Sequence, residues 1–225
     1  MHEIGRIAAV HVGSIERLEN AGRGGRGLMT AYRKTPVAEP VAIGVLGLAG
    51  DVQANRRYHG GLEKAVYAYP LSGYAGWCAD FPALAPRFGA GAMGENLVVT
   101  GHDEAGICIG DTIRCGTATL QVAQIREPCS TLAAVLGTTR VVRAMVRTGR
   151  CGWYCRVIEP GIVGPGDCHA VIDRPNPAWT VQRFAAFAAS KTATPDTLRE
   201  IGSLPGLSPE WQRRAIDALA EIMAR

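Results

Sequence analysis

The sequence contains no run of eighteen apolar residues and no block of five or six like charges. The first absence argues against a membrane-spanning helix, and the second argues against a basic nucleic-acid tail or a membrane-binding patch. The first residues also lack the charged start, apolar run and small-residue cleavage site of a secretory signal. Together these absences predict a cytoplasmic protein that makes no membrane contact.

The cysteines lack the pattern of a disulfide framework or of a structural zinc site. There are seven, an odd number, and they are scattered along the chain. Cys151 and Cys155 have no second pair to complete a tetrahedral zinc site. We therefore expect free thiols in a reducing compartment and no structural zinc.

A dinucleotide site is also absent, although G-x-G-x-x-G occurs twice, at 22–27 and 89–94. That fingerprint needs a buried strand before it and a helix after it. A polar segment precedes Gly22, and the segment after Gly94 has the pattern of a strand. Both motifs are therefore interpreted as glycine-rich loops.

What is present is a series of short apolar or alternating runs separated by Gly, Pro and Asp, a pattern typical of strands. The runs are Ile7 to Val12, Val41 to Leu48, Ala65 to Tyr69, Leu97 to Val99, Ile107 to Val122 with breaks, Trp153 to Ile158 and Cys168 to Ile172. Alternation on both sides of Gly116 predicts a hairpin there. Many short strands with few helices predict a mainly β fold, a closed or nearly closed barrel.

Helices are predicted at the flanks of this barrel and after it. Ser72 to Ala79 and Thr139 to Arg147 should cover the barrel ends. Beyond the Pro-rich segment 173–177, an apolar helical pattern follows each of the predicted cap residues Thr180, Thr194 and Ser208. We therefore predict a barrel domain over residues 1–173 and a three-helix module over residues 174–225.

The three-helix module resembles in outline the bundles from which DNA-binding domains are built. From Asp173 onward it carries seven basic residues against six acidic ones. This balance is a poor match for a phosphate backbone. The module is better interpreted as a surface for homodimerisation or for docking another protein.

Two segments carry the candidate chemistry. Residues 50–64 place His59 and several cations beside a Gly-Gly turn, where the backbone can approach a ligand closely; a solvated loop is the alternative. Cys129 follows Arg126 and Pro128, a setting at a loop or helix start that favours a thiolate. Cys129 could equally be a small core residue, or the nucleophile of a Cys-His hydrolase with His59.

Four ordered motifs carry a family resemblance. They are GDVQANRRYHGG at 50–61, GENL at 94–97, REPC at 126–129 and GWYCRV at 152–157. In this order they resemble the MOSC domain (molybdenum cofactor sulfurase C-terminal) family. The helical tail resembles the three-α-helix module of its bacterial hydroxylaminopurine-resistance subgroup.

The resemblance implies a MOSC-type β-barrel that binds the molybdenum cofactor, a molybdopterin whose dithiolene chelates the metal. Cys129 matches the position of the protein's metal ligand, which suits a soft thiolate. The candidates for holding the cofactor are Lys34, Arg56, Arg57, His59, Asn96 and Arg126, because cations and amides suit its phosphate. Cys129 and His59 are the implied catalytic residues.

The resemblance also implies reduction of small N-hydroxylated compounds such as hydroxylaminopurines and amidoximes. Since the chain has no iron-sulfur spacing and no flavin motif, a separate flavin or iron-sulfur protein is the implied electron donor. The chain departs from the family pattern at Asn55, Tyr58 and Ser130. Alternatives left open are a sulfur carrier or cofactor-handling protein that uses Cys129, a non-molybdenum enzyme with Cys129 as nucleophile, and a helix-turn-helix regulator with a ligand-binding barrel.

Overall fold

The apolar runs form strands in a computed structural model that describes residues 4–19, 21, 25–55, 59–190 and 192–224. Within these residues the strands are β1 Ile4–Gly13, β2 Glu16–Leu18, β3 Leu28–Thr30, β4 Lys34–Val37, β5 Val41–Gly44, β6 Gly47–Leu48, β7 Val66–Pro70, β8 Leu97–Thr100, β9 Thr112–Cys115, β10 Ala118–Ile125, β11 Trp153–Glu159, β12 Gly161–Val163 and β13 Cys168–Asp173. The helices are α1 Gly73–Asp80, α2 Ser130–Leu136, α3 Arg140–Thr148, α4 Val181–Ala189, α5 Pro195–Gly202 and α6 Pro209–Met223, with short 3₁₀ turns at Leu62–Lys64 and Pro82–Arg87.

Seven strands close into a barrel in the order β1-β13-β9-β10-β11-β7-β8 and back to β1. Closure depends on the ten-residue β1, which pairs with β13 over Ile4–Arg6 and with β8 over Arg6–Val10. A register shift between Ile7 and Ala9 marks a bulge, a feature that bends a strand. The prediction of a mainly β, closed barrel is confirmed.

The predicted turns and flanking helices are largely confirmed. The hairpin at Gly116 pairs Cys115 with Ala118, as the alternation indicated. The run Val41 to Leu48, by contrast, is two strands rather than one, with Gly44 opposite Gly47. α1 and α3 begin within one residue of the predicted positions.

The barrel interior is apolar and continues under α1. All five residues of β7 are buried. β7 and β8 are parallel, so the chain must cross over between them, and α1 lies in this crossover. Trp77 of α1 donates a hydrogen bond to the Tyr69 hydroxyl over 2.5 Å, which fixes the helix on the barrel.

The three tail helices form where the cap residues predicted them. Thr180 and Thr194 accept hydrogen bonds from the backbone N–H groups of Arg183 and Thr197, as N-caps do. Ser208 precedes α6 but makes no side-chain cap. Its backbone N–H instead donates to the carbonyl of Ala123 in β10 over 2.8 Å.

The segment between the barrel and the tail is anchored. Arg174 binds the buried carboxylate of Asp111 with Nε and a terminal nitrogen, at 3.0 and 2.7 Å. The Asn176 amide donates to the carbonyls of Ile109 and Pro205, each over 2.8 Å. The apolar cores of barrel and tail are continuous, and the division into domains at residues 173 and 174 stays a prediction. No helix in the described parts of the chain is long and apolar enough to cross a bilayer.

A buried histidine pair near the barrel closure predicts a pH-dependent stability. The Nδ1 atoms of His102 and His169 lie 2.9 Å apart, and burial together with His102 lowers the pKa of His169 from 6.5 to about 3. Between pH 6.5 and pH 3, His169 therefore binds a proton in the unfolded chain but not in the folded one. The contribution of His169 to the free energy of unfolding is fully present above pH 6.5 and decreases as the pH falls toward 3.

Because of His169, we expect the free energy of unfolding to be about 2 kcal/mol lower at pH 5 than at pH 7. Urea denaturation at both pH values should show this loss in the wild type and a smaller loss in His169→Gln. Equal losses in the two proteins would contradict the assignment.

Candidate active site

A cavity of about 620 Å³ lies beside the end of β10. Its walls come from the segments 28–34, 51–55, 93–96 and 124–131, together with His59, Lys64, Tyr67, Tyr154 and residues of α6. Five of the predicted site residues line it: Lys34, His59, Asn96, Arg126 and Cys129. Arg56 and Arg57 lie outside the described residues, as does Tyr58. Asn55 and Ser130, where the chain departs from the family pattern, also line the cavity.

Cys129 is held at the junction between β10 and α2. The strand ends at Ile125, and Pro128 has no N–H with which to continue a ladder. Cys129 is then the N-cap residue of α2, in an extended backbone conformation. The expected position of the thiol at a helix start is therefore observed, and the half-buried side chain faces the cavity.

Arg126 is the buried cation of the cavity, with only 3% of its surface exposed. One terminal nitrogen lies 3.4 Å from Cys129 Sγ and the other lies 3.4 Å from the Met145 sulfur of α3. The guanidinium also lies about 6 Å from the ring centroids of Tyr32 and Tyr67. Among the described residues, no carboxylate lies within ion-pair distance of it.

The phenols around Arg126 are neutral and do not balance its charge. Burial raises the pKa of Tyr32, Tyr67 and Tyr154, an effect that exceeds the opposing influence of Arg126 on each. A guanidinium stays protonated, and a buried charge without a partner is costly. An anionic ligand in the cavity can balance it.

His59 closes another side of the cavity as a neutral imidazole. Its backbone N–H donates to the Asn55 carbonyl over 3.0 Å. Burial, and then the charges of Arg126 and Lys64, lower the pKa of His59 below 6.5. At neutral pH it can therefore accept a proton.

Lys34 is already paired. Its ammonium lies 2.5 Å from Asp51 Oδ1, and the same oxygen accepts the N–H of Gly13 over 2.7 Å. Burial lowers the pKa of Lys34 although Asp51 opposes that effect. The pair joins the start of β4 to the loop after β6, and any anion bound by Lys34 would share it with Asp51.

Asn96 acts mainly as a clamp between strands. Its Nδ2 donates to the His11 carbonyl over 3.2 Å, and its Oδ1 accepts the N–H of Tyr67 over 3.1 Å. The residue is 3% exposed. The predicted amide contact to a cofactor stays a prediction, because these backbone partners already engage both ends of the amide.

Gly94, in the same motif as Asn96, leaves room for the ring of Tyr32, which forms part of the cavity wall. It has a positive φ of 79°, and a Cβ there would lie 3.1 Å from the Tyr32 ring. Buried Glu95 holds the same loop by accepting the N–H groups of Gly91 and Met93, at 2.6 and 3.0 Å. The motif Gly94-Glu95-Asn96 therefore shapes the cavity through its backbone and packing.

Two residues that line this cavity, Tyr32 and Gln124, were not predicted from the sequence. The Tyr32 hydroxyl and Gln124 Oε1 are buried atoms with no hydrogen-bond partner among the described residues. Buried polar atoms without partners are rare in folded proteins, so these two mark places for a ligand or water. The only signal in the sequence was the polar Gln124 in an otherwise apolar part of β10. Tyr32 gave none.

No group of three or more His, Cys, Asp or Glu side chains that could hold a metal ion occurs among the described residues. Cys129 therefore offers a single thiolate rather than a complete protein ligand set. Such a donor suits a metal that arrives with ligands of its own.

Opposite effects on stability should distinguish Arg126 from Asn96. In the cofactor-free chain, Arg126→Met removes an unbalanced buried charge, so we expect unchanged or higher stability, by up to about 2 kcal/mol. Asn96→Ala breaks two buried hydrogen bonds and should cost about 2 to 4 kcal/mol. Urea denaturation measures both, and an Arg126→Met loss as large as that of Asn96→Ala would mean that Arg126 is structural.

Comparison with known proteins identifies the family to which the chain belongs. The MOSC domain model matches residues 55–168. The Escherichia coli protein YiiM is 36% identical over 187 residues, covering 83% of each chain, and a Gibberella moniliformis protein named Reductase is 33% identical over 84% of this chain but only 34% of its own length. The crystal structure of YiiM from Geobacillus stearothermophilus superposes with a TM-score of 0.78 at 30% identity, covering 96% of this chain and 99% of that one. The chain belongs to the MOSC domain family.

Proposed function

We propose that this protein is a molybdenum-cofactor-dependent reductase of small N-hydroxylated compounds that receives electrons from a separate flavin or iron-sulfur protein. The observation that carries the proposal is the unbalanced Arg126 guanidinium 3.4 Å from the Cys129 sulfur in the wall of a 620 Å³ cavity. Membership of the MOSC family and the relative named Reductase support an oxidoreductase.

The residues around the cavity fit the cofactor chemically. A soft thiolate suits a molybdenum centre that already carries sulfur ligands, and Cys129 supplies one. The cofactor is anionic, and binding an anion would stabilise the buried Arg126 cation. Tyr32 Oη and Gln124 Oε1 add one hydroxyl and one acceptor without partners among the described residues. We assign Cys129 as metal ligand and Arg126, Tyr32 and Gln124 as cofactor contacts.

Two-electron reduction of an N–OH group to N–H, with release of water, is the chemistry that this cofactor supplies when bound. The reaction consumes two protons, and His59 is the group we assign to deliver them. Its neutral imidazole can take a proton from solvent and pass it to a substrate oxygen. Arg126, with a terminal nitrogen 3.4 Å from the sulfur, keeps Cys129 oriented.

Metal and pterin content test the cofactor assignment. Full-length protein produced in a host that makes molybdopterin should retain both, and Cys129→Ala should lose molybdenum while its melting temperature changes little. Cys78→Ala, another half-buried cysteine that does not line the cavity, is the matched control and should load normally.

Normal molybdenum loading of Cys129→Ala would refute the ligand assignment. Wild-type protein without metal or pterin would refute the cofactor proposal. If that protein carried a transferable sulfur on Cys129, a sulfur carrier would be favoured instead.

The proton role of His59 predicts a pH profile. Since His59 donates only when protonated, we expect kcat of the wild type to rise as the pH falls through its lowered pKa, below 6.5. His59→Gln should lower kcat about 100-fold, with little change in KM, and abolish this rise. A variant with the same pH profile as the wild type would exclude His59 as the donor.

A further inference from the structure

Part of the cavity wall is formed by residues that lie beyond the segment matched by the MOSC domain model. Glu210 and Arg214, in the first half of α6, line the cavity together with residues of the barrel. The family match ends at residue 168. The tail therefore contributes side chains to the site itself.

The first turn of α6 is fixed against the barrel close to the proposed catalytic residues. The Ser208 N–H bonds to the carbonyl of Ala123, three residues before Arg126. Buried Trp211 packs edge-on against Phe184 of α4, with ring centroids 5.1 Å apart. Arg214 lies over the outer face of Trp211 at 4.7 Å. The positions of Glu210 and Arg214 are thus set by packing.

Four charged residues, which we call the mouth cluster, meet at this edge of the cavity: Lys64, Glu127, Glu210 and Arg214. Arg214 binds Glu127 at 3.1 Å and also pairs with Glu210. Lys64 lies 3.5 Å from Glu210. All four line the cavity, and they come from three separate parts of the chain. The two cations and two carboxylates balance each other.

We infer that α6 forms part of the substrate entrance and that the mouth cluster selects substrates by charge. In the wild type the balanced cluster presents no net charge to an incoming molecule, which favours neutral N-hydroxylated compounds. Removal of one charge leaves an excess of the opposite sign near the path to Cys129. The assignment of the entering molecule as a substrate rests on the proposed function.

Two substitutions of opposite sign test this inference. Arg214→Met keeps an unbranched apolar stem over Trp211 and leaves an excess of negative charge. Glu210→Gln keeps the shape and leaves an excess of positive charge. Arg183→Met is the matched control, because Arg183 also lies over a tryptophan of the tail, Trp179 at 4.2 Å, but does not line the cavity.

The first readout needs neither cofactor nor turnover. Full-length, cofactor-free protein is treated with two thiol reagents of similar size, an anionic sulfonatoethyl and a cationic trimethylammonioethyl methanethiosulfonate. Peptide mass spectrometry gives the modification rate at Cys129. One unit charge several ångströms away in a partly aqueous entrance should change the anionic-to-cationic rate ratio by about three- to tenfold. We expect the ratio to fall in Arg214→Met, to rise in Glu210→Gln and to stay unchanged in Arg183→Met.

The second readout uses the loaded enzyme with reduced methyl viologen as electron donor and three benzamidoximes that carry a carboxylate, no charge or a trimethylammonium group at the far end of the ring. KM for the anionic compound relative to the cationic one should rise in Arg214→Met and fall in Glu210→Gln. If the wild type reduces none of the three, the proposed function fails while the labelling experiment still tests the entrance.

The inference is overturned if either variant shifts the labelling ratio less than twofold or if both shift it in the same direction. An equal shift in Arg183→Met would also overturn it, because the effect would then come from the charge of the whole protein. Failure of the reagents to label Cys129 in the wild type would show that this entrance does not lead to the thiol.

Discussion

The buried guanidinium of Arg126 is the constraint around which the site is organised. The guanidinium follows the end of β10 and lies near the Tyr32 and Tyr67 rings and the Cys129 sulfur. Among the described residues it has no carboxylate partner. A protein core does not normally keep such a charge, because its desolvation is not offset. An anion bound in the cavity would offset that cost, which is why the proposed cofactor assignment starts from Arg126.

The barrel makes this arrangement possible by closing its sheet. Because β1 is long and bulged, it pairs with β13 and β8 and removes the exposed edges. The Asn96 amide joins β8 to β1 and β7 beside the cavity. The strand ends that carry Tyr32, Asn96 and Arg126 are therefore rigid, as a preorganised site requires.

The tail contributes to the cavity wall, which its composition did not indicate. Its balanced charge argued against DNA binding and favoured a docking module, and neither homodimerisation nor docking is tested by a single chain. In the structure the first turn of α6 is bonded to β10, and Glu210 and Arg214 reach the cavity. Their partners Lys64 and Glu127 belong to the two loops that the sequence had already marked as functional.

The sequence by itself determined the local features: alternating runs became strands, Thr180 and Thr194 became helix caps, and Pro128 placed Cys129 at a helix start. These depend on neighbours in the chain, so periodicity and cap chemistry are sufficient to predict them. The four ordered motifs also identified the family. Only the tertiary structure decided that Lys34 is paired with Asp51, that Asn96 joins strands and that α6 lines the cavity. It also decided that Tyr32 and Gln124 have polar atoms without partners among the described residues. Each of these depends on contacts between residues far apart in the sequence, for which local pattern carries no information.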